Sequence, residues 1–221
     1  MSVKVINVEK METREVNHSL RQLTGKIKVM NPNSAHFIAA GLCKKLEIEI
    51  KGSVGYYLGT CMDGPSVHVG GNAGWFSGDN MTNGTIVIEG LSGDGTGQGI
   101  YGGLVVVKSD CGSRTGQLMK NGTVVVGGNS GYMTGLYAFG GRIIVCGDVG
   151  DSAGESIIGG ALYVGGKIKS LGKNARKEKV TAREQESIKK LLRKYDIKPP
   201  QEFTKVTSLK RRVYPVDIGE G

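Results

Sequence analysis

Glycine recurs in this chain with a period of 19 residues, and that register restricts the possible folds more than any other feature. Rungs counted from Glu47, Ser66, Thr85, Leu104, Thr123, Arg142 and Ala161 carry glycine five positions on, at Gly52, Gly71, Gly90, Gly128, Gly147 and Gly166, with Ser109 the one departure. Eight positions on stand Gly55, Gly74, Gly93, Gly112, Gly131 and Gly150, and twelve positions on stand Gly59, Gly78, Gly97, Gly116, Gly135 and Gly154. A closing column holds Gly84, Gly103, Gly122, Gly141 and Gly160, with Gly64 one residue early. Of the 37 glycines, 32 fall between Gly52 and Gly166, so the excess is a property of the repeat and not of scattered loops.

Apolar residues keep the same register. One column reads Ile48, Val67, Ile86, Val105, Val124, Ile143 and Leu162, and the column two residues later reads Ile50, Val69, Ile88, Val107, Val126, Val145 and Val164. Alternation of period two with β-branched side chains predicts one short strand per rung. A third column, Met62, Met81, Ile100, Met119, Ala138 and Ile157, supplies a second inward stripe. A weaker first rung is expected around residue 35, with Val29, Ala35 and Gly41 near its marker positions.

Collagen needs glycine at every third position with abundant proline, and the chain has only five prolines. A disordered linker lacks apolar residues, whereas 38% of this chain is hydrophobic. A helical solenoid would lose about 1 kcal/mol at each glycine relative to alanine. The remaining solution is an all-β parallel β-helix, whose rungs stack about 4.8 Å apart and place equivalent residues in ladders. Glycine marks the places where the chain turns with positive φ or where rungs come close. A rung of this length has a perimeter of about 60 Å, giving a triangular section with sides of about 20 Å that side chains fill. The interior then has no room for a substrate, and function is expected on an outer face, at an end, or against another chain.

The flanks differ from this middle. Residues 1–25 read as a strand from Val3 to Val8 and an amphipathic helix from Arg14 to Leu23, with Thr13 as N-cap and Gly25 as stop, covering the first rung. Residues 26–172 form the β-helix, and residues 173–221 form a basic helix and arm. Residues 1–166 hold 13 Lys+Arg and 13 Asp+Glu, whereas residues 167–221 hold 16 and 7, so the net charge of +9 belongs to the tail. Thr181 and Glu184 form a capping box for a helix to about Tyr195, with Ile188, Leu191, Leu192 and Tyr195 on one face and Pro199 and Pro200 beyond it. Phe203, Val206, Leu209, Val213 and Tyr214 punctuate an extended basic arm. Three readings are open for the arm: packing on the outward apolar column Val87, Val106, Val125 and Ile144, docking to a partner subunit, or binding nucleic acid.

Two motifs resemble active sites. Gly97 to Gly102 fits the dinucleotide pattern GxGxxG, but a strand, Leu104 to Val107, follows where that pattern needs a helix. Gly150 to Gly154 fits GxSxG around Ser152, yet His18, His36 and His68 all precede it, and its glycines are ladder positions. His68 reads as a surface histidine, and Asp148, Asp151 and Glu155 as an acidic edge, commoner than a metal site. Tyr56, Tyr57, Trp75, Phe76 and Tyr132 share one corner of successive rungs, as core or as a contact strip. Cys43, Cys61, Cys111 and Cys146 form no CxxC pair and read as reduced structural thiols. No apolar run spans a bilayer and the first residues lack a signal-peptide core, so a cytoplasmic location is expected.

The repeat V-x-V-x-G-x-x-G-x-x-x-G, with GDGTGQG at Gly93 to Gly99, resembles the GXGXG family over about residues 26–172. That family contributes the right-handed β-helix at the end of the glutamate synthase large subunit and a similar ladder in one of the chains of formylmethanofuran dehydrogenase. The segments REVNHSL, NPNSAHFIAAGL, EIEIKGSVGYYLGT and GDVGDSAGESIIGGALYVGGKIKSLG resemble its stand-alone version, a small subunit of a split glutamate synthase or N-methylglutamate synthase. The resemblance implies a scaffold with no catalytic residue, cofactor or metal of its own. Its expected partners are a glutaminase-type amidotransferase chain and a glutamate synthase chain carrying FMN and an iron-sulfur cluster. The alternatives are the equivalent scaffold of formylmethanofuran dehydrogenase, with tungsten or molybdenum pterin partners, and an independent hydrolase using Ser152.

Overall fold

The structure, a computed structural model, describes residues 3–210. It is a parallel β-helix whose rungs each contribute one strand to a single eleven-stranded sheet. The strands are β1 (Lys4–Asn7), β2 (Gly25–Met30), β3 (Leu46–Lys51), β4 (Asp63–Val69), β5 (Asn83–Ile88), β6 (Leu104–Val107), β7 (Thr123–Val126), β8 (Arg142–Val145), β9 (Ala161–Val164), β10 (Ala175–Glu178) and β11 (Thr204–Ser208), with helices α1 (Thr13–Gln22) and α2 (Ala182–Lys194). From β4 to β9 every strand pairs in parallel with its predecessor at the 19-residue offset, as in Glu47 with Ser66 and Arg142 with Ala161, save a bulge where Asp63 meets Asn83. A second ladder on another side of the prism runs through Ala73, Ser92, Cys111, Ser130, Val149 and Ile168.

The three apolar columns are the core: Ile86, Val105, Val124, Met81, Ile100 and Met119 are all fully buried. Two glycine columns owe their glycine to different causes. In the column of Gly97, φ is positive (+70°) and an added Cβ would point inward, 2.4 Å from Val124 Cγ2. In the column of Gly112, φ is ordinary, but an added Cβ would meet the backbone nitrogen of Asp94 on the preceding rung at 2.7 Å. The first requires a left-handed turn and the second a close approach of stacked backbones.

The ends depart from the sequence reading in instructive ways. No strand forms around residue 35. The first full rung starts at β2, whose Ile27 pairs with Ile48 at an offset of 21 residues, so its markers fall out of step with the repeat. α1 begins at Thr13 itself, with Glu12 as N-cap and its backbone N–H bonded to Glu15 Oε2 at 2.9 Å. Val16 and Leu20 bury against the first rung, as does Asn17, whose amide donates to the Phe37 carbonyl (2.8 Å) and accepts from the Ala39 N–H (2.9 Å). At the other end, the arm is not merely extended. Its β11 inserts between β9 and β10, antiparallel to both, and Val206 enters the core. Val213 and Tyr214 lie outside the described residues.

Candidate docking surfaces

The motifs that imitate active sites dissolve into ladder geometry. Ser152 has φ of +58°, as a strained nucleophile would, but Tyr57, Phe76, Arg114 and Met133 hold the same conformation at the same point of their rungs. It is the corner of the fold. The Ser152 N–H donates to Ser170 Oγ (2.9 Å), and the three histidines lie on α1, the first rung and β4, toward the opposite end. Gly97 to Gly102 leads into β6 and supplies no helix N-terminus. Asp148 accepts from the Lys167 N–H (2.6 Å), Asp151 pairs with Lys169 Nζ (2.6 Å) and accepts from Ser170 Oγ (3.1 Å), and Glu155 accepts from the Lys173 N–H (2.8 Å). These carboxylates tie each rung to the next. Among the described residues no group of three or more His, Cys, Asp or Glu is placed to hold a metal.

Two polar ladders keep the repeat spacing without standing out in the sequence. Thr60, Asp79, Gln98 and Gln117 run along one corner, where Asp79 accepts from Thr60 Oγ1 (3.0 Å), Asn80 Nδ2 (3.1 Å) and Gln98 Nε2 (2.9 Å), and Gln117 donates to Gln98. Inside the prism, Ser92 bonds to Ser77 (3.3 Å) and Thr96 (2.7 Å), and Ser130 to Thr115 (3.0 Å) and Thr134 (2.7 Å). Cys111 sits between these pairs, and burial pushes its thiol up to about 12. Burial does the same at Cys146. All four cysteines are free. Each of these buried hydroxyls has a partner, which removes the desolvation cost that an unpaired one would carry.

The surface offers three features of different character. On the sheet face, the outward column Val87, Val106, Val125, Ile144 and Tyr163 is buried beneath α2 through Ile188 and Leu192, together with Ile197 and Phe203. Of the three readings open for the arm, the structure shows intramolecular packing. Glu184 anchors this cover: it closes the capping box with Thr181 and accepts from Lys205 Nζ (2.7 Å) and the Tyr163 hydroxyl (2.8 Å). The Lys205 ammonium, then the Thr181 N–H, hold its carboxyl down at about 2, while burial and this carboxylate push the Tyr163 phenol up.

The second feature is a double aromatic stack on the first rungs. His36, Tyr56 and Trp75 stack at 4.7 and 5.0 Å, and beside them Phe37, Tyr57 and Phe76 stack at 5.0 Å each. Tyr56, Trp75 and Phe37 remain exposed. His36 and Phe37 do not show in the 19-residue spacing because the first rung is one residue out of register at this corner. Tyr132 does not join the stack, since Asp94 and Ser113 occupy the intervening rungs. The third feature is an exposed strip on the later rungs, Tyr101, Leu118, Tyr137 and Phe139. It leads to a groove of about 680 Å³ lined by Phe139, Ile158, Gly160, Arg176, Thr207 and Leu209.

The glycine ladder and the filled interior define a parallel β-helix whose distinguishing features lie on its outer faces. The GXGXG motif family matches residues 4–210, and the chain belongs to that family. No curated protein matches the sequence. Among solved structures, the fold is similar to a chain in the X-ray structure of the formyltransferase/hydrolase complex (FhcABCD) from Methylorubrum extorquens with methylofuran. The two are 21% identical with a TM-score of 0.70, covering 88% of this chain and 85% of that one. This finding overturns the glutamate synthase expectation. The structural counterpart stands in a formyltransferase/hydrolase complex, and the glutaminase and FMN synthase chains expected as partners fall with that reading.

Proposed function

We propose that this chain is a non-catalytic scaffold within a multisubunit complex of the formyltransferase/hydrolase kind, which handles a one-carbon formyl group on a furan-type carrier. The observation that carries this reading is the fold likeness over nearly the full length of both chains. It favours the formylmethanofuran-related alternative that the family resemblance implied over the glutamate synthase one. The physical arrangement supports it. The interior is filled by Ile, Val, Met and paired hydroxyls, and the carboxylates of Asp148, Asp151 and Glu155 are committed to neighbouring rungs. Reaction chemistry, with any cofactor it needs, is assigned to partner chains. The reading includes a cytoplasmic location; no helix among the described residues is long and apolar enough to cross a membrane.

Affinity purification of the full chain from its native source tests this. Recovery of partner chains, with formyl transfer or formyl hydrolysis activity in the assembled complex and none in this chain alone, is the expected result. Recovery of a glutaminase-type chain, or ester or formyl hydrolysis by the isolated chain that Ser152→Ala removes, would overturn it.

A further inference from the structure

The eleven-stranded sheet ends on β10, and among the described residues no strand pairs with its outer edge. The pairing with β11 fixes what that edge presents. Leu209 N–H donates to the Asn174 carbonyl at 2.7 Å, and Arg176 pairs with Thr207 two residues on. Antiparallel pairs alternate between hydrogen-bonded and non-bonded, so Lys177, one position further, turns its N–H and C=O away from β11 toward the free edge. An open edge of this kind is a template for one more strand.

The groove of about 680 Å³ opens on the sheet face inboard of this edge, with Arg176 and Glu178 of β10, paired at 2.6 Å, on its wall. Its apolar lining includes Phe139 and Leu209, which are 49% and 57% exposed. The surroundings are basic: residues 167–210 hold 14 Lys+Arg against 5 Asp+Glu, and Lys177 and Lys179 are exposed with no ion pair to a described residue. A free backbone edge and exposed unpaired cations suit an added acidic strand, in which main-chain bonds give affinity and charge complementarity gives selectivity. A second copy of the same strand would bring Lys177 and Lys179 against like charges, which disfavours self-pairing.

We propose that β10 receives an extended acidic segment of another polypeptide, which adds a strand to the sheet edge and sets its carboxylates against Lys177 and Lys179. The inference rests on the scaffold reading and names the kind of partner segment that reading needs.

The test uses the complex purified through the full chain, with a photo-crosslinking residue at position 179 in place of Lys179. The expected cross-link falls on a partner segment richer in Asp and Glu than in Lys and Arg. Lys177→Pro removes the outward N–H while sparing the bonds to β11. It should weaken partner binding about tenfold or more, the loss of one or two hydrogen bonds, with the melting temperature unchanged. Lys177→Arg should bind as the parent does. Cross-links to this chain itself, in the same or a second copy, or full affinity in Lys177→Pro, would overturn the inference. If partners co-purify but cross-link elsewhere, the scaffold reading stands and this inference falls. If none co-purifies, the scaffold reading falls and takes it along.

Discussion

One sheet face runs the length of the prism, yet its two halves are built on opposite principles. On β2 to β4 the outward residues are Lys28, Glu49 and His68, left to solvent and knitted to Lys51, Glu89 and Lys108 by ion pairs. On β5 to β9 the same column becomes Val87, Val106, Val125, Ile144 and Tyr163, and α2 covers it. Glu49 pairs with His68 and His68 with Val87 at the same 19-residue offset, so the switch from charge to branched aliphatic at Val87 marks where the covered face begins. A strand with one wet face alternates; a strand dry on both faces does not. The length of α2 agrees, since 13 residues span about 20 Å, close to four rung spacings.

The largest test of this comparison places a charge in each half. Val125→Asp buries an unpaired carboxylate under α2 and should cost about 4 kcal/mol, or release the helix outright. Glu49→Lys, in the same column of the open half, should change stability by about 0.5 kcal/mol at most. Chemical denaturation gives both values, and equal effects would erase the distinction. Next in size is the interior beneath the covered half. Gly97→Ala combines positive φ with a Cβ 2.4 Å from Val124 Cγ2, for a loss of about 3 kcal/mol. Gly135→Ala has a similar φ of +79° but its Cβ would sit 3.5 Å from the nearest atom, so about 1 kcal/mol should be lost.

Why were some parts of the fold legible in the sequence and others not? The periodic parts were, because a repeat prints its register many times: the strands, the core columns and the apolar patch under α2 all follow from the 19-residue spacing. The capping box at Thr181 and Glu184 was legible for a different reason, being local chemistry complete within four residues. What did not repeat was lost. β10, with the sequence Ala-Arg-Lys-Glu, carries no strand signal, and β11 pairs with residues some 40 positions upstream. The first rung differs in length from the others, so His36 and Phe37 were invisible as members of the aromatic stack. The polar ladders through Asp79 and Ser92 keep the register but give no signal of their own, because a recurring polar residue looks solvated until its partners are seen. The false serine and dinucleotide motifs show the reverse error: glycine spacing set by rung geometry matches patterns set by phosphate or nucleophile geometry.

The cover itself can be loosened from its anchor. Leu192→Ala removes a fully buried contact with the sheet and should cost about 2 to 3 kcal/mol, read as faster amide exchange in α2 with β3 and β4 unaffected. Acid should act on the same element. Glu184 ionises lower in the folded chain, at about 2 against an ordinary 4.5, so its contribution is fully present above pH 4.5 and is lost as pH falls toward 2. The protection of the α2 amides, taken relative to their intrinsic exchange rates, should fall through that window, and Glu184→Gln should remove that fall. Loss of protection in the open half first would reverse the assignment.

The smallest expected effect belongs to the open half, and it measures how little its ladder of charges holds. Partial burial works against the Glu89 carboxylate, but hydrogen bonds from His68 and Lys108 outweigh it and keep the group below the usual carboxylate range. The contacts are short, 2.7 and 3.0 Å, yet all three side chains are solvated, and exposed pairs contribute about 0 to 1 kcal/mol after side-chain ordering and salt screening. Glu89→Gln should therefore lower stability by less than about 1 kcal/mol, and the difference should shrink further between 0.1 and 1 M salt, where the screening length falls from about 10 to about 3 Å. A loss as large as that of Leu192→Ala would mean that the charged half is held by its ion pairs as firmly as the covered half is by α2. The solvation of its side chains argues against that, because water already supplies most of what each charge gains from its neighbour.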